Sequence, residues 1–182
     1  MKEEQIKAEI LSRLRATGRP GIENVIKYLN VSDFFRAGCH SHHHYTGGLA
    51  KHSLEACRFA LDNRGNLPED SVVIAALLHD LGTSHGPAAR GIHGHGRRSV
   101  GILGRGCHFH LTDEEFEAIK LHMHGDAREM RTNPLARLVN RADHRSASGR
   151  VKLDMAGKAG VCLDCRQAFL LTEGPLALTP LP

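Results

Sequence analysis

The sequence predicts an all-α fold, a single compact bundle of about six or seven helices. Three observations lead to it. Apolar residues recur at helical spacing along most of the chain, whereas strand-like alternation is hard to find. The run Val72, Val73, Ile74, Ala75, Ala76, Leu77, Leu78 is apolar all round, as a central helix must be. Two helix-start signals, Thr112-x-x-Glu115 and Asn133-Pro134, stand directly before further apolar-periodic segments.

Taken in order, Ile6, Ile10, Leu11 and Leu14 share one face of an N-terminal helix that ends near Gly18-Arg19-Pro20. Ile22, Val25, Ile26 and Leu29 define a short second helix. A loop with Asp33-Phe34-Phe35 and a histidine run follows. Gly47-Gly48 opens a third helix, in which Leu49, His52, Leu54, Ala56, Phe59 and Ala60 form a broad inner surface, and Gly65-Asn66-Leu67-Pro68 breaks it. The fourth helix spans about Glu69 to Leu81. Residues 82–94 form a loop rich in Gly and His, and a fifth helix starts near His95 with Val100, Ile102 and Leu103 on it. The sixth starts at the Thr112 capping box, and the last carries Leu135, Leu138, Val139 and Ala142 behind Asn133-Pro134. Beyond Gly149 the periodicity weakens, and the end with Pro175, Pro180 and Pro182 reads as a tail.

The chain of 182 residues suffices for one domain with a proper core and is too short for two large ones; 41 % of it is hydrophobic. Aromatics make up only 4 % and Trp is absent, so stacking platforms for single-stranded nucleic acid are largely missing. The net charge of +4 suits a small anionic substrate better than duplex DNA and leaves RNA open. Five cysteines, an odd number without a secretory signal, point to a reducing cytosol rather than a disulfide framework. No apolar stretch approaches the ~20 residues that span a bilayer, so a cytoplasmic protein with no membrane contact is expected.

Histidine is the compositional outlier, with 14 in the chain. The run Cys39-His40-Ser41-His42-His43-His44 reads either as a polar loop or as the rim of a metal or phosphate site. The more telling pair is His79-Asp80, which closes the apolar run and is followed by Leu81-Gly82. An imidazole and a carboxylate at the end of a buried helix are costly to desolvate unless paired, and a divalent metal satisfies both. His52 points inward, with Leu49, Ala56 and Phe59 at i−3, i+4 and i+7; alone it reads as a hydrogen-bonded core histidine. Asp143 follows Val139 and Ala142 toward the core; alone it reads equally as a surface carboxylate paired with Arg141 or Arg145. Four such groups on three inward faces are not independent accidents. Mixed His and Asp ligation suits Mn, Fe, Ni, Co or Zn better than Ca or Mg.

The segments Phe34-Phe35 … Gly47-Gly48-Leu49-Ala50-Lys51-His52-Ser53 and Ala75-Ala76-Leu77-Leu78-His79-Asp80-Leu81-Gly82 closely resemble the HD-domain superfamily of metal-dependent phosphohydrolases. They look most like the small bacterial and phage members related to 3′-5′ exoribonucleases. Gly94-His95-Gly96-Arg97-Arg98-Ser99 with Ile119-Lys120-Leu121-His122-Met123 is similar to the middle histidine pair of that group, and Pro134-Leu135-Ala136 … Arg141-Ala142-Asp143 to its closing aspartate segment. The match covers residues 34–147 in order and is most specific in its first two blocks. It implies a helical bundle of the HD type over residues 31–150, with residues 1–30 as N-terminal helices on the core and 151–182 as an extension and tail.

The resemblance also implies that His52, His79, Asp80 and Asp143 hold one divalent ion, and His95 and His122 a second, with Asp80 bridging. His79 and Asp80 are then the catalytic pair. His93 competes for the place given to His95. His122 and His124 stand at i and i+2, so one helix face cannot aim both at one ion; His122 shares its face with Ala118 and Ile119. Many members carry a Lys two residues beyond the Leu of this block, within reach of a phosphate oxygen; here the position is Thr83. Arg90, Arg97, Arg98, His42 or His43 can take over that charge, and Arg97, Arg98, His42, His43 and His124 are the candidate substrate-binding residues. The implied activity is hydrolysis of phosphate esters on a small phosphorylated substrate, a nucleotide or a short RNA end, by a metal-activated water.

Two alternatives stay open at this stage. One is a nucleotide-binding module with weak or lost chemistry, and the other is a single structural metal. Cys162-x-x-Cys165 is half of a four-ligand zinc site, which Cys107, His108 or His110 would have to complete. Ser53 and Ser99 have no positioned base in the sequence and are not read as nucleophiles.

Overall fold

The computed structural model describes residues 2–39, 43, 45–84, 94–123, 132–148, 151–153, 159–162 and 168–170. Among them, seven α-helices follow one another: α1 (Glu3–Ala16), α2 (Ile22–Val31), α3 (Gly48–Asp62), α4 (Glu69–Leu78), α5 (His95–Gly101), α6 (Asp113–Leu121) and α7 (Pro134–Ser148). A 3-10 turn, Leu81–Thr83, continues α4, and a π-helical turn, Ile102–Gly106, continues α5. None of these helices is long and apolar enough to cross a membrane.

The bundle is organised around α4. Every residue from Val72 to Leu78 is buried, which is why that helix shows no polar face. It packs against α1, α3, α6 and α7, while α3 also packs along α7. Helix α1 buries Ile6, Ile10 and Leu14, the i, i+4, i+8 stripe that the sequence predicts, and it stops at Ala16, before Gly18 turns into the left-handed region.

Both start signals form as expected. Thr112 Oγ1 accepts from the Glu115 N–H at 3.2 Å, and the Glu115 carboxylate accepts from the Thr112 N–H at 2.9 Å. Glu115 does more than cap. Its fully buried carboxylate also receives the Arg19 guanidinium at 2.6 Å and the Ser71 hydroxyl at 2.7 Å, tying α6 to the α1–α2 link and to α4. At α7, Asn133 Oδ1 accepts from the Ala136 N–H at 3.1 Å, one residue before the N1 proline.

Two expectations need correction. The fourth helix ends at Leu78 rather than Leu81, because Asp80 leaves helical geometry at φ −100°, ψ 11°. The Thr83 and Ser84 hydroxyls then donate to the Asp80 and Leu81 carbonyls, each at 2.8 Å, and hold the turn. The all-α prediction holds for the bundle, but within the expected C-terminal extension and tail the described residues include a small antiparallel sheet. Its strands β1 (Val151–Leu153), β2 (Ala159–Cys162) and β3 (Ala168–Leu170) pair in the order β1-β2-β3, with Val151 opposite Cys162 and Ala159 opposite Leu170. Strands of three or four residues are too short to register a period of two, and their stability comes from non-local pairing that the sequence does not display.

Candidate metal centre

Five helices, α3, α4, α5, α6 and α7, converge on a small volume. From α3 comes His52, from the end of α4 His79 and Asp80, from the first residue of α5 His95, from the C-cap of α6 His122, and from α7 Asp143. All six are buried, His52 and His79 completely.

Two close approaches make this convergence possible. A Cβ at Gly82 would lie 2.3 Å from the His95 carbonyl oxygen, and one at Gly96 would lie 2.6 Å from that of Ile119. Only a residue without a side chain lets the α5 start slot between the turn and α6. Ser99 then fastens the joint. Its hydroxyl lies 2.7 Å from the His79 carbonyl and 3.0 Å from that of His95, and it accepts from the Gly82 N–H at 2.8 Å.

The ligand-bearing atoms fall into two groups that share Asp80. In the first, His52 Nε2 is 3.2 Å from His79 Nε2 and 3.1 Å from Asp143 Oδ1, with Asp80 Oδ2 at 3.7 Å from both imidazoles. In the second, His95 Nε2 is 2.8 Å from His122 Nε2, and Asp80 Oδ1 is 3.1 and 3.3 Å from the two. The sets His52–His79–Asp143 and His79–Asp80–His122 each bring their atoms close enough to share one ion. Donors about 2.1 Å from a common ion stand roughly 3.0–3.4 Å apart at right or tetrahedral angles, and the observed spacings bracket that range.

The protonation pattern agrees. His79 Nδ1 lies 2.9 Å from the Ala76 carbonyl and His122 Nδ1 lies 2.7 Å from that of Ile119; a carbonyl only accepts, so both rings carry a proton on Nδ1. Each Nε2 pair then holds at most one shared proton. Burial pushes the His79 imidazole down, but Asp80 and Asp143 outweigh it and hold it up at about 9. Burial likewise opposes the charge on His95, which Asp80 nevertheless raises, whereas burial prevails at His122 and lowers it. Asp80 and Asp143 are held well below the usual carboxylate range against burial, Asp80 chiefly by His79 and His95, and Asp143 chiefly by His52 and His79. Asp80 Oδ1 is moreover buried without a properly directed hydrogen bond among the described residues, although two imidazole nitrogens stand within 3.3 Å. A buried carboxylate oxygen at ion-pair distance from two imidazole nitrogens fits a cation between them.

The predicted substrate contacts fare differently. Arg97 is exposed at the start of α5. Arg98 is half-buried, and its Nε donates to the Gly82 carbonyl at 3.2 Å. His43 is not at a rim: it is fully buried behind His52, its Nε2 3.2 Å from Glu55 Oε2. His42, His93, Arg90 and His124 lie outside the described residues, as does Cys165; Cys107 is a buried free thiol, which burial pushes up to about 11. Sequence reasoning weighed Ser99 only as a nucleophile, and it passed over Glu55 and Ser146. A signal existed for the last two, because each stands three residues after a predicted ligand and so on the same helix face.

The fold and this centre define a protein built around a buried His/Asp cluster with room for metal. The HD domain family matches residues 49–148, and the chain belongs to it, a family of metal-dependent phosphohydrolases. No curated protein and no solved structure matches the chain.

Proposed function

We propose that this chain hydrolyses a phosphate ester, a nucleotide or a short RNA end, with water as the nucleophile. The observation that carries this reading is Asp80, whose two oxygens face two different pairs of imidazole nitrogens. His52, His79, Asp143 and Asp80 Oδ2 would hold one divalent ion, and His95, His122 and Asp80 Oδ1 a second. A divalent transition ion (Mn, Fe, Ni, Co or Zn) supplies Lewis-acid charge that lowers the pKa of a water and neutralises phosphoryl oxygens.

The rest is done by the chain. Asp80, whose carboxylate is shared between the two groups, would orient the attacking water on phosphorus. Arg98, anchored on the Gly82 carbonyl, brings a permanent positive charge beside the turn that carries Asp80. It takes the part that a lysine plays in many relatives, since the Thr83 hydroxyl here is spent on the Asp80 carbonyl. A purely structural ion would need one of the two groups, and neither His95 nor His122 would then require its place.

The test is a phosphoester panel (aryl monoester, aryl diester, nucleotides and a short RNA) with each of the five metals, alongside Asp80→Ala and His79→Ala. Metal-dependent turnover that both substitutions abolish supports the reading. No turnover with any metal, in a protein that nonetheless binds and is stabilised by a nucleotide, overturns it in favour of a binding module.

A further inference from the structure

Behind His52, away from Asp80, lies a chain of hydrogen bonds, buried at His52 and partly exposed at Glu55, that the site above does not use. His52 Nδ1 is 3.0 Å from Ser146 Oγ, the Ser146 hydroxyl donates to Glu55 Oε2 at 3.1 Å, and His43 Nε2 is 3.2 Å from that same oxygen. Ser146 is 8 % exposed, and His43 and His52 are fully buried.

We infer that Ser146 and Glu55 are positioning residues that fix His52 as a metal donor, with His43 holding Glu55 in place. The inference rests on the metal reading of the centre. A serine hydroxyl has one proton, and here the Glu55 carboxylate takes it. Toward His52 the oxygen therefore only accepts, so the ring proton sits on Nδ1 and the Nε2 lone pair faces His79 and Asp143. At His79 and His122 a helix carbonyl three residues earlier does the same work. His52 lies in mid-helix, and its Nδ1 finds its acceptor on a neighbouring helix instead. The carboxylate adds what a carbonyl cannot, a negative charge transmitted through the hydroxyl that makes His52 a stronger donor. Glu55 is an acceptor only, so the buried His43 must give its Nε2 proton to it, which keeps the carboxylate turned inward.

The experiment is Co(II) binding to the full chain by competition with a chromophoric chelator, with the visible spectrum recorded and thermal unfolding of each chelator-treated variant as the control for folding. Loss of an outer hydrogen-bond partner typically weakens a metal about 10–100-fold, and Ser146→Ala is expected to show that loss. Glu55→Gln, which keeps the size of the side chain and removes its charge, shows a smaller loss in the same direction, and Ser146→Thr, which keeps the hydroxyl, recovers most of the affinity. Co(II) affinity in Ser146→Ala and Glu55→Gln equal to the wild type overturns the inference alone, as does a Ser146→Thr variant as weak as the alanine one. A wild-type protein that takes up no Co(II) overturns the metal reading and this inference with it. A Ser146→Ala chain too unstable to titrate leaves the decision to Glu55→Gln.

Discussion

Replacing Ser99 by alanine removes one oxygen from the joint between the α4 turn and α5. The Gly82 N–H that it accepts at 2.8 Å then has no acceptor in a buried position, which costs about 1–3 kcal/mol. The hydroxyl's donation to the His79 or His95 carbonyl is also lost, at about 1 kcal/mol more. The sum, about 2–4 kcal/mol, corresponds to a fall in melting temperature of roughly 5–15 °C for a chain of this size. Ser53 provides the internal control. It is as buried as Ser99, but its hydroxyl has no hydrogen-bond partner among the described residues. Ser53→Ala removes a polar group that was desolvated without return, and alanine is the better helix former, so that variant should melt at or slightly above the wild-type temperature. Calorimetry of the two variants decides the matter. If they melt together, hydrogen bonding at Ser99 does not hold the joint and the reasoning fails.

Three further outcomes are expected. Gly82→Ala puts a methyl group 2.3 Å from the His95 carbonyl oxygen, forcing α5 away from the turn; divalent metal uptake should be lost, and near-normal binding by equilibrium dialysis would contradict the packing argument. Glu115→Ala leaves the Arg19 guanidinium and the Ser71 hydroxyl without their shared partner, a loss of about 3 kcal/mol because Arg19 keeps some solvent contact, to be read from urea unfolding. In the chelator-treated protein the contributions of His79, Asp80 and Asp143 are together greatest between pH 3.8 and 6.5, while His122, lowered by burial, works against them as pH falls below 6.5. His79, raised from 6.5 to about 9, contributes stability that is full below 6.5 and lost as pH rises through 9; Asp80 and Asp143, depressed, contribute stability present above 3.8 and lost as pH falls. Melting temperatures that stay flat from about pH 6 to 9 would count against the charged His79.

The helices were legible wherever burial on one face leaves a 3.6-residue pattern or a cap supplies a local signal, as at Ile6–Ile10–Leu14 and Thr112–Glu115. The elements missed were those whose stability is not local: three short strands, and the irregular turn at Asp80 that ends α4 early.

By itself the sequence determined the helical bundle and the order His52, His79-Asp80, His95, His122, Asp143, because residue type and spacing are local properties. Only the tertiary structure decided that Asp80 turns one oxygen to each imidazole pair, that Ser99 locks α5 against the turn, and that His43 stands behind His52 rather than at the rim. Such relations reach between separate elements, as between Ser99 and His79, 20 positions apart, and a chain fixes such distances only when its buried faces pack.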